Sequence, residues 1–452
     1  MAKKEKKYGE VTRKYGDPWI WGIYFMLIIV SLIESYSASS REVATAGVLM
    51  PIIKQAVFLG LGAVCVLVLY RVDYNRKLVL FIMVTGLAIF TLASLIYVML
   101  FGQVINGAQR AIVFPGGITL QPAELAKLSI VTVLAYLFSR NQMFKDVKTK
   151  GVVFAAVAVL LYGGLMIQSG LTNTLLLMCI SFTMMICGGV SFKKIIIVMA
   201  CYVLVFGLFM VIKSHNEKQE ANLNQAEIEV RAEGDTIADI DPAMAQGTDR
   251  QMFARKDTWK SRIAAWWNSD SLVYKPITSK NQQEMFSRMA QAHGGITGVG
   301  IGQSRECSRL PLAFSDYIYS IIIEETGLIG GIFVMLLYLA LLARAAMIMK
   351  WCGRSMPALL VMGMASMIAL QAMFHMAINT GLFPVSGQPL PLISKGGTSI
   401  LVTSVAFGVM LSVSRTIASE NHNKKMKNNP DAQADAQAAE RPTYLIKENE
   451  WK

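Results

Sequence analysis

The sequence predicts an all-α polytopic membrane protein of about ten transmembrane helices, with both termini inside and a large extracytoplasmic loop between the seventh and eighth spans. Three observations carry this. The 452 residues are 54% hydrophobic and only 16% charged, with a mean hydropathy of +0.45, too apolar for an ordinary soluble chain. Apolar runs of about 20 residues, the length that crosses a hydrocarbon core, recur along the chain. Lysines and arginines gather in alternate connections between those runs.

In order, the runs read at 20–37, 50–70, 78–100, 120–139, 151–167, 171–190, 193–213, 317–343, 357–378 and 396–414. The 171–190 and 193–213 pair has the least defined boundary. Basic groups precede the first run (Lys3, Lys4, Lys6, Lys7, Arg13, Lys14) and follow every even-numbered one: Arg71, Arg76 and Lys77, then Arg140, Lys145, Lys148 and Lys150, then Lys193 and Lys194, then Lys350 and Arg354. Positive charge marks the cytoplasmic side. The connections at 38–49 and 168–171 carry almost none, so the net charge of +13 is a topology signal and does not indicate nucleic-acid binding. The chain divides into a basic cytoplasmic N-terminus at 1–18, a ten-helix membrane domain at 19–418 and a low-complexity cytoplasmic tail at 419–452, read as disordered. The hydrophilic first 18 residues lead into a full span, which does not describe a cleavable signal peptide. Of the six cysteines only Cys307 falls outside, so no disulfide framework is expected.

Polar chemistry collects in three outer segments, 101–119, 214–315 and 379–395. In the large loop at 214–315, residues 217–249 are acidic and read as a solvated insertion. Residues 253–268 place Phe253, Trp259, Ile263, Trp266 and Trp267 at helical spacing, with Arg255, Lys256, Lys260 and Arg262 largely elsewhere. This describes an interfacial helix in the headgroup region, an anchor or a holder of anionic lipid. The glycines of GGITGVGIG at 294–302 follow no strand and so do not make a dinucleotide loop. They allow close approach of backbone to backbone or ligand. Beyond them Asp316, Ser320 and Glu324 fall at four-residue steps, continued by Gly327 and Gly331. On a continuous helix Glu324 would lie roughly 12 Å deeper than Asp316 at about 1.5 Å per residue. Glu324 is expected to be buried and satisfied by a neighbouring helix, the glycines to be packing points, and Asp316, at the mouth of a span, to be the functional acid.

The fourth span opens with Pro122, suited to a first helical turn, and carries Glu124 and Lys127 three apart, where each can neutralise the other. Arg110, in the preceding outer segment, is a candidate anion contact, since a guanidinium forks onto phosphate. The segment NTGLFPVSGQPLPLISKGGTS at 379–399, which includes Asn379, Pro384, Gly387 and the outer cation Lys395, reads as ordered irregular backbone. Such backbone is tolerated at membrane depth only where it lines a cavity or is buried in protein.

These pieces, YSAS at 36–39, NGA-x-R at 106–110, QPAELAKL at 121–128, GGITGVGIGQS at 294–304, LPLAFSDYIYSIIIEETGLIG at 310–330 and the 379–399 segment, together resemble the SEDS family, the group containing FtsW, RodA and SpoVE. The resemblance covers most of the chain. It implies a SEDS-type ten-span fold and a multi-pass protein of the bacterial inner membrane. It also implies peptidoglycan polymerisation from lipid II on the outer face, with a class B penicillin-binding protein and divisome or elongasome proteins as partners. It assigns catalysis to Asp316 and implies substrate contacts at Gln121, Ser394, Gly396 and Gly397, with Ser320, Asn379, Pro384 and Gly387 as polar or cavity positions. The glycine segment becomes the backbone wall of a lipid-linked sugar site. This chain departs from the family pattern at Ala111 (usually Trp), in QSGLTNT at 168–174, which lacks the family's acid at Gly170, at Phe314-Ser315 (usually His-Thr) and at Lys395 (usually Tyr). YSASS and the long tails favour the division member over the elongation member.

A lone outer carboxylate suffices for such a transfer, because a diphosphate leaving group needs no acid and only positive charge to receive it. Arg110, Lys395 and Arg262 are the candidate cations. No organic cofactor is expected, a divalent cation (Mg or Mn) would serve the diphosphate, and its protein ligands are not legible. Two other classes share some of these features. A lipid flippase would distribute charges along a path through the membrane, and a non-catalytic scaffold for a penicillin-binding protein would tolerate loss of Asp316.

Overall fold

The structure is a computed structural model, and it describes residues 2–37, 49–74, 77–105, 108–113, 119–143, 146–167, 170–205, 207, 266–267, 276–278, 281–310 and 313–428. Helices occupy all ten predicted places. They are α2 (Pro18–Ser37), α3 (Leu49–Leu69), α4, α5 (Pro122–Arg140), α6 (Thr149–Met166), α7 (Leu171–Cys187), α8 (192–205), α10 (Ile318–Trp351), α11 (Ser355–Asn379) and α12 (Gly397–Asn428). Helix α4 joins Lys77–Phe81 to Leu87–Phe101 through a π-helical turn at Ile82–Gly86. Eight of the ten are long and apolar enough to cross a membrane. The exceptions among the described residues are α7, a shorter apolar helix, and α8, which fall on the pair whose boundary the sequence defines least. Glycines 188 and 189 separate them, the second at φ +74°.

Helices α5, α11 and α12 are mostly buried, whereas α3 and α4 expose apolar residues such as Val57, Phe81, Ile89 and Phe90. A helix that is apolar all round belongs either in the protein core or against lipid. Buried polar groups lie on the central three, among them Glu124, Lys127, Gln371 and Ser404, and also on the inward faces of α2 and α10, such as Glu34 and Glu324. Gly363 of α11 marks how close the centre packs, because a Cβ there would lie 2.5 Å from Met184 Sδ and 2.6 Å from Val131 Cγ1.

The helix ends sort onto two sides. On one, Arg344 Nη2 donates to Asp17 Oδ2 at 2.6 Å, the Asp17 backbone N–H donates to Ser414 Oγ at 3.0 Å, and Arg354 pairs with Glu420. The Asp146 carboxylate on that side accepts from Lys194 Nζ and from two backbone N–H groups, which hold its pKa down at about 2. The other side carries the candidate site.

Four elements were not legible beforehand. The N-terminal segment is a helix, α1 (Ala2–Tyr15); α12 runs on to Asn428, past the predicted tail boundary at 419; and a helix α9 (Gln282–Gly294) lies in the large loop. The 101–119 segment forms a small antiparallel sheet of β1 (Gln103–Ile105), β2 (Ala108–Val113) and β3 (Thr119–Leu120) in the order β1-β2-β3. The acidic stretch 217–249 and the tail beyond 428 lie outside the described residues. So does nearly all of the expected interfacial helix at 253–268, Arg262 included. Of that segment Trp266 and Trp267 are described, and Trp266 Nε1 donates to the Gly381 carbonyl at 3.0 Å.

Candidate active site

Asp316 does not lie on the helix. It ends a turn at 313–316, and α10 begins two residues later after Tyr317, whose φ of −126° is non-helical. The four-residue stripe therefore starts at Ser320, and the depth estimate from a continuous helix does not apply to Asp316. Its half-buried carboxylate accepts from Ser315 Oγ at 3.0 Å.

The turn is held from two sides. Asn379, buried at the end of α11, donates from Nδ2 to the Asp316 carbonyl at 3.0 Å and to the His375 carbonyl at 2.9 Å, while its Oδ1 accepts from the Ser320 backbone N–H and hydroxyl. Ser394 donates to the Ser315 carbonyl at 2.7 Å and accepts from the Leu390 N–H at 2.7 Å. Ser394 is 1% exposed. Donating to one and accepting from the other, it clamps the loop to the turn. Gly397 is likewise a packing point, since a Cβ there would sit 2.6 Å from the Phe58 ring, whereas Gly396 meets only Ser399 at 3.6 Å.

The loop at 380–396 is irregular, as expected, and it is ordered around the buried Leu392, the one non-glycine residue at positive φ (+65°) among the described residues. Such a conformation persists where the surroundings over-determine it. Tyr338 supplies part of that constraint by donating to the Pro391 carbonyl at 2.7 Å. Lys395 gives its backbone N–H to the Phe314 carbonyl at 3.0 Å and lays its ammonium over the Phe314 ring, 4.9 Å from the centroid. The same two residues line a small cavity with Glu34, Gln55, Ile318 and Ile393. Glu34, 2% exposed, is a component that sequence reading missed, because an acid inside an apolar run gives no sign of which helix it faces.

The predicted Glu124 and Lys127 pair forms at 2.7 Å, with Lys127 fully buried and a third partner, Gln371 Oε1, at 2.7 Å from Nζ. Pro122 opens α5 after the half-buried Gln121, as its fixed φ suits. Gln121 and Glu124 share a second, polar pocket with Asn173, Gly387, Gln388 and Pro389. Pro384 is half-buried in the extended run before it. Arg110 lies in strand β2, with Ala111 fully buried next to it.

The glycine segment is tied to a helix. Its backbone packs on α10: the Val299 and Gly300 N–H groups donate to the Glu324 and Glu325 carbonyls at 2.9 and 3.0 Å, and the Leu328 N–H donates to the Gly295 carbonyl at 3.0 Å. Helix α10 is broken for this purpose at Gly327 (φ +73°). A Cβ on Gly298 would lie 2.1 Å from the Glu325 carbonyl oxygen, and one on Gly327 2.1 Å from that of Ile296. Gly298 and Gly327 thus serve backbone-to-backbone contact, whereas the Cβ positions of Gly295, Gly300 and Gly302 meet no backbone within 4 Å. Glu324 is buried, as expected: Ser304 Oγ and the Arg305 N–H, the latter at 3.0 Å, donate to it from the loop, and His293 Nδ1 of the neighbouring helix α9 lies 3.8 Å away. Gly331 packs against Ile323 and Tyr319. Among the described residues no group of three or more His, Cys, Asp or Glu side chains could hold a metal ion.

A turn-mounted carboxylate beside an irregular loop, a cation and a polar pocket can take a proton from a hydroxyl and bind a polar, anionic substrate. A family model described as "Cell cycle protein", that of FtsW, RodA and SpoVE, matches residues 18–419. A probable peptidoglycan glycosyltransferase FtsW of Bacillus subtilis (strain 168) is 28% identical over 343 residues, 75% of this chain and 75% of its own. Stage V sporulation protein E of the same organism is 26% identical over 408 residues, 87% of this chain and 95% of its own. Among solved structures, a chain from work on structural coordination of polymerization and crosslinking by a peptidoglycan synthase complex superposes with a TM-score of 0.60 at 24% identity, over 88% of this chain and 98% of that one. The rod shape determining protein RodA of Thermus thermophilus does so with a TM-score of 0.56 at 21% identity, over 89% and 97%.

Proposed function

Since the chain belongs to the FtsW/RodA/SpoVE family of polytopic membrane proteins, we propose that it is a peptidoglycan glycosyltransferase that polymerises lipid II into glycan strands at the outer face of the cytoplasmic membrane. Cell division is the role we assign, and a class B penicillin-binding protein is the partner. The observation that carries this reading is the Asp316 turn, fixed by Asn379 and Ser394 beside Lys395, in a chain whose relatives bear the glycosyltransferase name.

In the proposed reaction Asp316 removes the proton from the acceptor GlcNAc 4-hydroxyl. That oxygen bonds to carbon 1 of the donor's MurNAc with inversion, the bond from carbon 1 to the diphosphate oxygen breaks, and undecaprenyl diphosphate leaves with the electron pair. A positioned base contributes about 10²–10⁴-fold. Lys395 reaches the diphosphate by leaving the Phe314 ring, a contact worth only about 0.5–2 kcal/mol. Arg110 and Arg262 are the further cations. A divalent cation enters this proposal as a companion of the diphosphate.

The test is incubation of the purified chain, bound to its transpeptidase partner, with labelled lipid II. Glycan strands are expected from the wild type and not from Asp316→Ala. Lipid movement across liposomes without any polymer would overturn the enzyme reading in favour of transport. Full polymerisation by Asp316→Ala would remove this residue from catalysis.

A further inference from the structure

The second pocket, lined by Gln121, Ala123, Glu124, Asn173, Gln388 and Pro389 together with the Gly387 backbone, is a small polar cleft of about 30 Å³ that opens to solvent. A cleft needs only about 10–15 Å³ of such space to hold one water, so this one takes two or three waters or a short polar group entering from its open mouth. Its charges cancel. Glu124 is the one acidic side chain on the wall, and Lys127 pairs with it at 2.7 Å. The remaining polar groups are amides.

Gln388 is held firmly yet left incomplete. Its Nε2 donates to Asn173 Oδ1 at 2.8 Å, and its backbone carbonyl accepts from His375 Nδ1 at 2.6 Å. Its Oε1 has no hydrogen-bond partner among the described residues, although Gln388 is only 3% exposed. A buried carbonyl oxygen without a donor is costly, and one retained on a pocket wall calls for a donor brought by a ligand. Gly170, three residues before Asn173, sits at φ +135°, a conformation that glycine adopts without strain.

A neutral ligand group with an N–H for Gln388 Oε1, a carbonyl for the amide donors of Gln121 and Asn173, and a methyl for Ala123 and Pro389 is an acetamide. We propose that this pocket binds the 2-acetamido group of one hexosamine of the sugar substrate, with Gln388 as acceptor and Asn173 as the residue that orients it. The assignment rests on the polymerase reading above. Its position suits that use. One turn of α11 joins His375, under the pocket, to Asn379, which holds the Asp316 carbonyl, and Ser394 ties Leu390 to Ser315.

The experiment uses the purified partner-bound chain and three substrates: lipid II and two analogues in which the acetamido group of one or the other sugar is replaced by hydroxyl, a neutral exchange. Wild type is expected to use at least one analogue with kcat/KM lowered roughly tenfold or more. Gln388→Leu is expected to lose a comparable factor on lipid II and to show no further penalty on that analogue. Asn173→Ser, a smaller change, narrows the discrimination in the same direction and serves if Gln388→Leu does not fold. Equal use of all three substrates by the wild type overturns the acetamido assignment, as does full discrimination by a folded Gln388→Leu. Absence of polymer from lipid II itself, with wild type, would overturn the polymerase reading instead.

Discussion

Asn379 does more for the site than its place at a helix end suggests. It uses both ends of its amide, bonding the Asp316 and His375 carbonyls on one side and Ser320 on the other. Asn379→Ala should therefore leave the Asp316 carboxylate chemically intact but loosely placed. The expected outcome is a kcat lowered at least tenfold with KM for lipid II nearly unchanged, because misplacement by about 1 Å costs on the order of 10²-fold. The Glu124 and Lys127 pair makes a different claim. Lys127→Met leaves a buried carboxylate without its cation and is expected to destabilise the protein by about 3–5 kcal/mol, whereas the double change Glu124→Gln/Lys127→Met recovers most of that loss in thermal unfolding. These two residues were legible in sequence because three-residue spacing inside an apolar run leaves a charge few alternatives to its neighbour. Gln371, their third partner, and Asn379's bond to Asp316 were not, since each is a contact between helices far apart in the chain.

At the scale of elements, the broken helix α10 and the glycine loop act as one unit. Gly298→Ala places a Cβ against the Glu325 carbonyl at a residue with φ +81°, and is expected to destabilise by more than about 1 kcal/mol, read from the unfolding midpoint in detergent. Gly295→Ala, with nothing within 4 Å of its Cβ but φ +54°, should lose less. On the opposite side, Asp146 is held below the usual carboxylate range by Lys194 and backbone donors. Its stabilising effect is complete above the unfolded value of 3.8 and is lost as pH falls toward about 2. The melting-temperature gap between wild type and Asp146→Asn should accordingly close between pH 5 and pH 2. A gap unchanged at pH 2 would show that the Lys194 contact contributes nothing. The apolar runs announced their helices by length alone. The break at Gly327 and the helix at Gln282–Gly294 were hidden, because glycine is equally suited to helix packing and to a left-handed turn, and a polar helix in a loop leaves no apolar run.

For the whole molecule, burial separates a mostly buried three-helix centre from a more exposed apolar periphery, and the start of α2 is locked to α10 by the buried Asp17 and Arg344 pair. The fold class was readable from composition and basic-residue alternation because a bilayer admits so few spanning structures. The site was readable only as separate motifs, since their meeting depends on which helix ends share a side. At this scale Asp316, the clamp of Asn379 and Ser394, and the polar pocket make up the active centre we propose. The most direct measurement is the initial rate of glycan polymerisation from lipid II by the partner-bound protein, wild type against Asp316→Asn, with equal folding checked by thermal unfolding. A general base at Asp316 predicts a loss of about 10²–10⁴-fold. An Asp316→Asn rate within twofold of wild type would contradict it.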